Sequence, residues 1–434
     1  MKFYARERGK IAWQNPRVFS LFYFLRDAIV FLLPIGKLSH QLVKLLYGVS
    51  PQFIFLVHAR RTEDTYVGLP ILSLVRRMLG RKVFFNILQW LPPLVLGTIK
   101  TSQGIHGLVV TAGGILPEHI FLKKKASLKK AVQALVFSSK LCKKNSIFGI
   151  GGLWPMVTRR GLGLVPFAKK HQMVITNGHC GTLMALYFSI EKIAEISNTP
   201  LEKLKVIILG VGKMGANLAK VLYGKVAAIT LADVNEKRLE NLEQKLKEAI
   251  SSTDIFKFLN RQEVGTLNDL FKNNHIVICT TSNVRRILKP EDIPAGTLIL
   301  DDSRPEAIPR NLNKKSIVLE GGLLRIKGLK QEFNFGMGID ENVFGCLAES
   351  FLLAADKERL IFNVVGDVGI ENFRKMVELA KKFGVQVGDF KCREHTIDPS
   401  EISRIVQEKV NLDATIPFKK VCWLLKVEDF LGVD

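Results

Sequence analysis

The sequence predicts an α/β protein in which a doubly wound parallel sheet is preceded by a separate α/β domain. Three observations carry this. From residue 204 onward, apolar strand-like runs alternate with helix-like segments, the pattern of a parallel sheet. The first of these runs ends in a glycine turn, "GVGKMG", that opens an amphipathic helix. Before residue 200, a second series of short strands and helices ends in glycine-bearing loops of its own. With 434 residues, 47% of them hydrophobic, the chain is long and apolar enough to fill two or three cores.

Residues 1–50 form the first division. "MKFYARERGK" is basic and "VFSLFYFLRDAIVFLLPI" is apolar, but Arg26 and Asp27 interrupt the run. A signal peptide or spanning helix would need that run unbroken. The segment reads as a core helix or as a helix lying in a membrane interface, its basic flanks meeting anionic lipid; the interfacial reading is preferred. The expected location is cytoplasmic, peripheral on a membrane. Charge agrees with an acidic partner. Residues 1–175 hold 27 Lys and Arg against 5 Asp and Glu, so +22 of the net +23 lies there. No nucleic-acid-binding signature is present, and basic clusters such as "LKKKASLKK" lack interleaved aromatics, so nucleic acid is not expected. Six scattered cysteines form no C-x-x-C pair and no metal-ligand spacing with the eight histidines. That predicts a reducing compartment and no metal site.

Residues 51–198 predict the first α/β domain, expected to bind substrate. "PQFIFLVHA" reads as a strand, "ILSLVRRML" as a short helix, and "LPPLVLGTIKT" with "IHGLVVTA" as two strands joined at "SQG". "SLKKAVQALVFSSKLCKKN" has helical spacing, and "SIFGIGGLW" is a strand running into a double-glycine loop. "KHQMVITNGHCGT" repeats strand and loop before the long helix "TLMALYFSIEKIAEIS", and "NTPLEK" marks the boundary.

Residues 199–335 predict a Rossmann-like domain. Gly210 permits the tight turn, Gly212 lets the backbone approach a pyrophosphate, and Gly215 lets helix and strand pack. Lys213 and Met214 complete the helix N-terminus that faces the phosphates. Asp233 closes the next strand, 23 residues after Gly210. There it should accept from an adenosine ribose, which favours NADH, although Lys237 and Arg238 could serve the 2′-phosphate of NADPH. "CTTSN", with Thr280, and "EGGLL", with Gly321 and Gly322, are loops at strand ends that border the expected nicotinamide position; an ordinary strand-to-helix turn is the alternative for each.

Residues 336–390 read as returning helices, and 391–434 as an extension without an assigned role. Two cysteines compete as nucleophile. Cys180, in "NGHCGT", lies beside His179 and near a helix N-terminus, features that lower a thiol pKa. Cys346, in "DENVFGCLAESFLLAA", would lie two turns into a helix capped by Asp340, with Glu349 opposing its ionisation. Gly345 beside it costs about 1 kcal/mol in a helix, as if something must approach that backbone. Either cysteine could be an inert buried residue.

The motifs resemble a family, the aldehyde-forming long-chain acyl-(acyl carrier protein) reductases of the cyanobacterial type. The likeness lies in "FGCLAESFLLA", "FIFLVHARRTED", "GLVVTAGGILPEHI", "ALVFSSKLCKKNSIFGIGGL", "VITNGHCGT" and "IVLEGGL", in colinear order from about residue 50 to about 390. It implies that Cys346 attacks an acyl thioester, that NADPH is the cofactor, and that an acidic acyl carrier protein or acyl-coenzyme A delivers the acyl group. His179 is then a candidate proton donor, and N–H groups of the double-glycine loops are candidate oxyanion donors. The sequence departs from the family in its plainer G-x-G-x-x-G turn, in Asp233, and in Gly181 where the family loop has a histidine. Two other readings stand beside this one. They are an NAD-dependent dehydrogenase of a small amino or hydroxy acid, and a nicotinamide-binding, membrane-associated protein without catalysis.

Overall fold

A computed structural model describes residues 16–34, 36–59, 65, 71–113, 115–249, 256–259, 267–282, 288–303, 306–312, 315–358, 364–367, 369–415 and 424–425. The chain divides into two compact units. One comprises Met1–Gly181, Arg325–Val368 and Arg374–Val385; the other comprises Thr182–Leu324, Gly369–Phe373 and Gln386–Asp434.

The first unit opens with helices α1 (Pro16–Leu32) and α2 (His40–Tyr47), then strand β1 (Phe53–Val57). Helix α3 (Ile71–Trp90), kinked at Gly80, leads into the hairpin of β2 (Leu94–Lys100) and β3 (His106–Thr111). Helices α4 (Pro117–Leu122) and α5 (Lys124–Leu141) return the chain to β4 (Ser146–Ile150). Helices α6 (Trp154–Val157) and α7 (Val165–His171) return it to β5 (Met173–Thr176). The sheet runs in the order Lys330–Gln331, β2, β3, β1, β4, β5, with β3, β1, β4 and β5 parallel. The strands joining Lys330–Gln331, β2 and β3 are antiparallel. Phe53–Leu56 and all of β4 are buried, as expected of parallel strands covered on both faces. Their side chains join Leu135, Phe137 and Trp154 in the core.

The apolar N-terminal run is a helix with one face built into this unit. Asp27 is buried and accepts from the Tyr47 hydroxyl at 3.0 Å, the Val95 N–H at 2.8 Å and Arg26 Nε at 2.9 Å. Arg26 stacks 4.0 Å over the Tyr47 ring and donates to the Leu46 carbonyl. Lys140 Nζ donates to the carbonyls of Val30, Phe31 and Leu33, closing the C-terminus of α1. The charged pair that interrupts the apolar run is therefore the helix's anchor. Among the described residues, no helix is long and apolar enough to cross a membrane.

Helix α8 (His179–Ile196) begins at the end of the first unit and leads into the second. There β6 (Lys205–Leu209), α9 (Lys213–Leu222), β7 (Ala228–Ala232), α10 (Glu236–Ala249), β8 (Phe256–Leu259), α11 (Leu267–Lys272), β9 (Ile276–Cys279), β10 (Leu298–Asp301) and β11 (Ile317–Glu320) follow in turn. The sheet order is β11-β10-β9-β6-β7-β8, with every pair parallel. This is the doubly wound Rossmann order, and its switch point lies between β6 and β9. The predicted fold class is the one observed.

The chain then adds α12 (Gly345–Ala355), in the first unit, and α13 (Ile370–Phe383) and α14 (Pro399–Thr415). The C-terminal extension, without a role from sequence, packs α14 on the Rossmann sheet. Lys409 Nζ donates to the carbonyls of Phe271 and Asn274 at 2.6 Å each, satisfying the end of α11. Leu424–Leu425 pairs in parallel beside β8.

Candidate active site

The cysteine site lies at the carboxyl end of β5 in the first unit. Asp340 does not cap the cysteine helix. Its carboxylate accepts from the Asn342 N–H at 2.8 Å and turns the chain into the short strand Asn342–Phe344. Helix α12 starts only at Gly345, with Phe344 as its extended N-cap. Cys346 is thus the second helical residue. It sits in the first turn, where backbone N–H groups point outward and the helix dipole is most positive. Its side chain is half-buried.

Close approach at this backbone is cleared from the opposite side. Gly178, at φ +74°, and Gly181 flank the first turn of α8. A Cβ on Gly178 would collide with Cβ of Cys346, and one on Gly181 with the Gly345 carbonyl. Glu349, one turn after Cys346 and fully buried, ties the two helices together. Its carboxyl accepts from the Thr176 hydroxyl, from the Gly178 N–H at 3.2 Å and from the Gly181 N–H at 2.6 Å. Burial pushes this carboxyl up to about 7, against the lowering effect of those donors.

The sequence favoured Cys180 by pKa, and the structure removes the reason for that preference. Cys180 is completely buried, and burial, then the Glu349 charge, pushes its thiol far up. Sequence could not show that the N-terminus of α8 is already capped by a carboxylate from another helix.

His179 is the first residue of α8. Burial, then the Arg160 charge, lowers its imidazole to about 4, although Asp367 acts the other way. It is neutral at pH 7, so any proton it donates must leave the neutral ring. Arg160 and Asp367 form an ion pair at 2.9 Å. Asn177, which sequence missed, is buried and organises this turn. It accepts from the His179 N–H and donates to the carbonyls of Arg160 and Gly366. His58, after β1, accepts from the Leu153 N–H at 3.0 Å and holds the double-glycine loop. The Gly151 N–H donates to the Leu56 carbonyl, so it is engaged in the sheet ladder rather than presented as an oxyanion donor.

The dinucleotide site lies at the carboxyl end of the Rossmann sheet. Gly210 has φ +93°. A side chain on Gly215 would collide with the Gly210 carbonyl, to which the Thr280 hydroxyl donates at 2.7 Å. Gly212 caps α9 and has no neighbour within 4 Å of where its Cβ would stand. That opening, with Lys213 exposed and Met214 half-buried at the helix N-terminus, fits a pyrophosphate. Asp233 is spent inside the site. One oxygen accepts from the Val211 N–H at 2.9 Å and from Arg238 at 3.1 Å, the other from the Asn235 N–H at 2.8 Å. Arg238, 52% exposed, pairs with Asp233 and brings there one of the two cations that the sequence offered for a 2′-phosphate.

Asn283 of "CTTSN" lies outside the described residues. Thr281 pairs with the Ser303 hydroxyl. The Gly321 N–H donates to the Asp301 carbonyl at 2.9 Å, and Gly322 has φ +75°. Beneath them Arg310, nearly inaccessible, binds Asp301 at 2.6 Å and both oxygens of Glu320 at 3.0 and 3.1 Å. This triad fixes the ends of β10 and β11. It escaped the sequence reading because its members lie nine and ten residues apart, without periodicity.

Residues 191–321 match the shikimate/quinate 5-dehydrogenase family. An aminotransferase, PigE, of Serratia sp. (strain ATCC 39006) is 22% identical over 258 residues, which are 56% of this chain and 28% of that protein. The chain therefore spans under a third of the relative's length. Among solved structures, a shikimate dehydrogenase in complex with NADP+ is 13% identical, covering 87% of this chain and 99% of that one at a TM-score of 0.32. L-tryptophan dehydrogenase from Nostoc punctiforme is 12% identical, covering 84% and 90% at a TM-score of 0.30. Glutamyl-tRNA reductase from Methanopyrus kandleri is 13% identical, covering 67% and 55% at a TM-score of 0.24. The second unit is a nicotinamide-dinucleotide-type Rossmann domain, as found in NAD(P)-dependent oxidoreductases.

Proposed function

We propose that the protein reduces a long-chain acyl thioester to a fatty aldehyde through an acyl-enzyme on Cys346. The observation that carries this reading is the position of Cys346, half-buried in the first turn of α12, where the dipole favours a thiolate. The partly exposed Phe344, two residues before Cys346 in the chain, stacks edge-on with Phe335, as Phe333 does, an apolar cluster of the kind an acyl chain would pack on. In the first step the Cys346 thiolate attacks the carbonyl carbon, a new C–S bond forms, and the carrier leaves as a thiolate that takes one proton. When bound, the nicotinamide supplies the hydride that brings the acyl carbon to the aldehyde level. Collapse of the resulting hemithioacetal anion breaks the C–S bond and returns the Cys346 thiolate. Only the leaving thiol needs a proton, and thiols are acidic enough to leave unaided. A neutral His179 is therefore no obstacle.

The carrier is an acidic acyl carrier protein or coenzyme A, in keeping with the basic first part of the chain. For the cofactor, the engaged Asp233 and the exposed Arg238 support NADPH over NADH. The test is intact-protein mass spectrometry after mixing with a long-chain acyl thioester in the absence of reductant. A gain of one acyl group is expected, absent in Cys346→Ala and discharged as aldehyde on adding NADPH or NADH. No adduct from either carrier would refute the proposal.

A second reading has one specific observation behind it, the family match over residues 191–321. On that reading the protein is an NAD(P)-dependent dehydrogenase of a small hydroxy or amino acid, and Cys346 is a packing residue. Cys346→Ala would then turn over normally.

A further inference from the structure

The first unit carries an apolar surface that nothing in its core uses. On α1, Phe22, Leu25, Ile29 and Leu32 follow helical spacing and are exposed, Leu25 by 48% and Leu32 by 75%. The opposite face of that helix is fixed by the Asp27 and Lys140 bonds, so the stripe is held in place. Phe24 of α1 packs in one apolar cluster with Leu72, Phe84 and Leu88 of α3, which makes the two helices neighbours. Helix α3 exposes Met78, by 73%, before its kink at Gly80 and Trp90, by 86%, at its end. These side chains alternate with cations. Arg77, Arg81 and Lys82 are exposed on α3, and the exposed Lys123, Lys124 and Lys125 follow the exposed Leu122 at the end of α4. Acid is nearly missing. Among the described residues from 16 to 175, the carboxylates are Asp27, buried, and Glu118.

We infer that this face docks on an anionic lipid bilayer, with the outer sides of α1 and α3 lying in the headgroup region. Charge selects this occupant. A second copy would bring the same positive surface and be repelled. A bilayer offers both a diffuse negative potential for the cations and an apolar layer for Phe22, Leu25, Ile29, Met78 and Trp90. An acidic carrier protein would satisfy the lysines and arginines but leave a row of large apolar side chains to find a matching groove. Aromatic residues at such a boundary keep an apolar body in the acyl layer and a polar edge outside it. The inference does not rest on the acyl-thioester reading, because binding is measured without turnover.

The test is co-sedimentation of the full chain with vesicles of phosphatidylcholine containing about a third phosphatidylserine, against vesicles of phosphatidylcholine alone. Binding to the anionic vesicles is expected, with weaker binding to the neutral ones. The exposed-site variants Leu25→Glu and Met78→Glu together should lower partitioning about tenfold or more while circular dichroism and thermal midpoint stay unchanged. Arg77→Gln with Lys82→Gln should lower it only at low salt. Absence of binding to anionic vesicles overturns the inference. So does binding that salt abolishes and the glutamate variants leave untouched, since that is attraction without insertion. Concentration-dependent dimerisation that Leu25→Glu abolishes, without vesicle binding, assigns the face to a second copy. Displacement from vesicles by an acidic carrier protein that then binds at the same residues assigns it to that protein.

Discussion

Glu349 and His179 meet at the same turn and hold opposite protonation preferences. The Glu349 carboxyl, ordinarily near 4.5, is pushed up to about 7 by burial. The His179 imidazole, ordinarily near 6.5, is pushed down to about 4 by burial and by Arg160. A carboxyl with a raised folded pKa contributes stability that is complete below its unfolded value and is lost as pH rises through the folded one. For Glu349 that loss runs from about pH 4.5 to about 7. An imidazole with a depressed folded pKa contributes stability present above its unfolded value and lost as pH falls. For His179 that loss runs from about pH 6.5 to about 4. Each spans on the order of 3 kcal/mol, and over the shared window the two slopes oppose each other. The urea midpoint of the unmodified protein should therefore vary little from these two groups between pH 4.5 and 6.5. In His179→Gln stability should rise as pH falls from 7 to 5, and in Glu349→Gln it should fall over the same range. Parallel pH profiles for the two variants would show that the groups are not coupled to folding in this way.

At the scale of elements, the glycine turn separates two functions that the sequence reads as one motif. Gly215 is required by packing, since a Cβ there would strike the Gly210 carbonyl, whereas Gly212 faces open space. Gly215→Ala should cost about 2 kcal/mol or more in folding free energy. Gly212→Ala should leave stability within about 0.5 kcal/mol and weaken dinucleotide binding by about tenfold or more, as read by titration of nicotinamide fluorescence. Equal effects of the two substitutions on folding would sink this division of labour. The elements themselves were legible because buried parallel strands are continuous apolar runs, as in "KVIIL", "IVIC" and "LILD". The start of the cysteine helix was not, because an Asx turn and an N-cap both use aspartate, and only tertiary context placed Asp340 before a strand. The role of Glu349 was hidden for a similar reason. Its partners, Thr176, Gly178 and Gly181, lie about 170 residues earlier in the chain. Periodicity reports which face of a helix is buried, not which donors it meets there.

At the scale of the whole molecule, charge is divided as sharply as the fold. Residues 1–175 carry 27 cationic against 5 acidic side chains, while the rest of the chain carries 36 against 35. Among the described residues from 16 to 175 the carboxylates are two, the buried Asp27 and the exposed Glu118. Asp27 is engaged by Arg26 and Tyr47, so among the described residues of that stretch Glu118 alone faces the exposed lysines and arginines. The resulting field extends about a Debye length, roughly 10 Å at 0.1 M salt and 3 Å at 1 M. An acidic carrier protein meets that field over a broad surface, whereas a short uncharged thiol such as an acyl-pantetheine does not. If the acyl-thioester reading holds, raising salt from 0.1 to 1 M should raise KM for the carrier-protein substrate about tenfold and leave kcat nearly constant, because steering acts on encounter rather than on the bond-making step. KM for the acyl-pantetheine should stay within about twofold over the same range. An equal rise for both substrates would mean that salt acts on the fold or on acyl-chain binding, and the basic surface would then have no part in choosing the carrier.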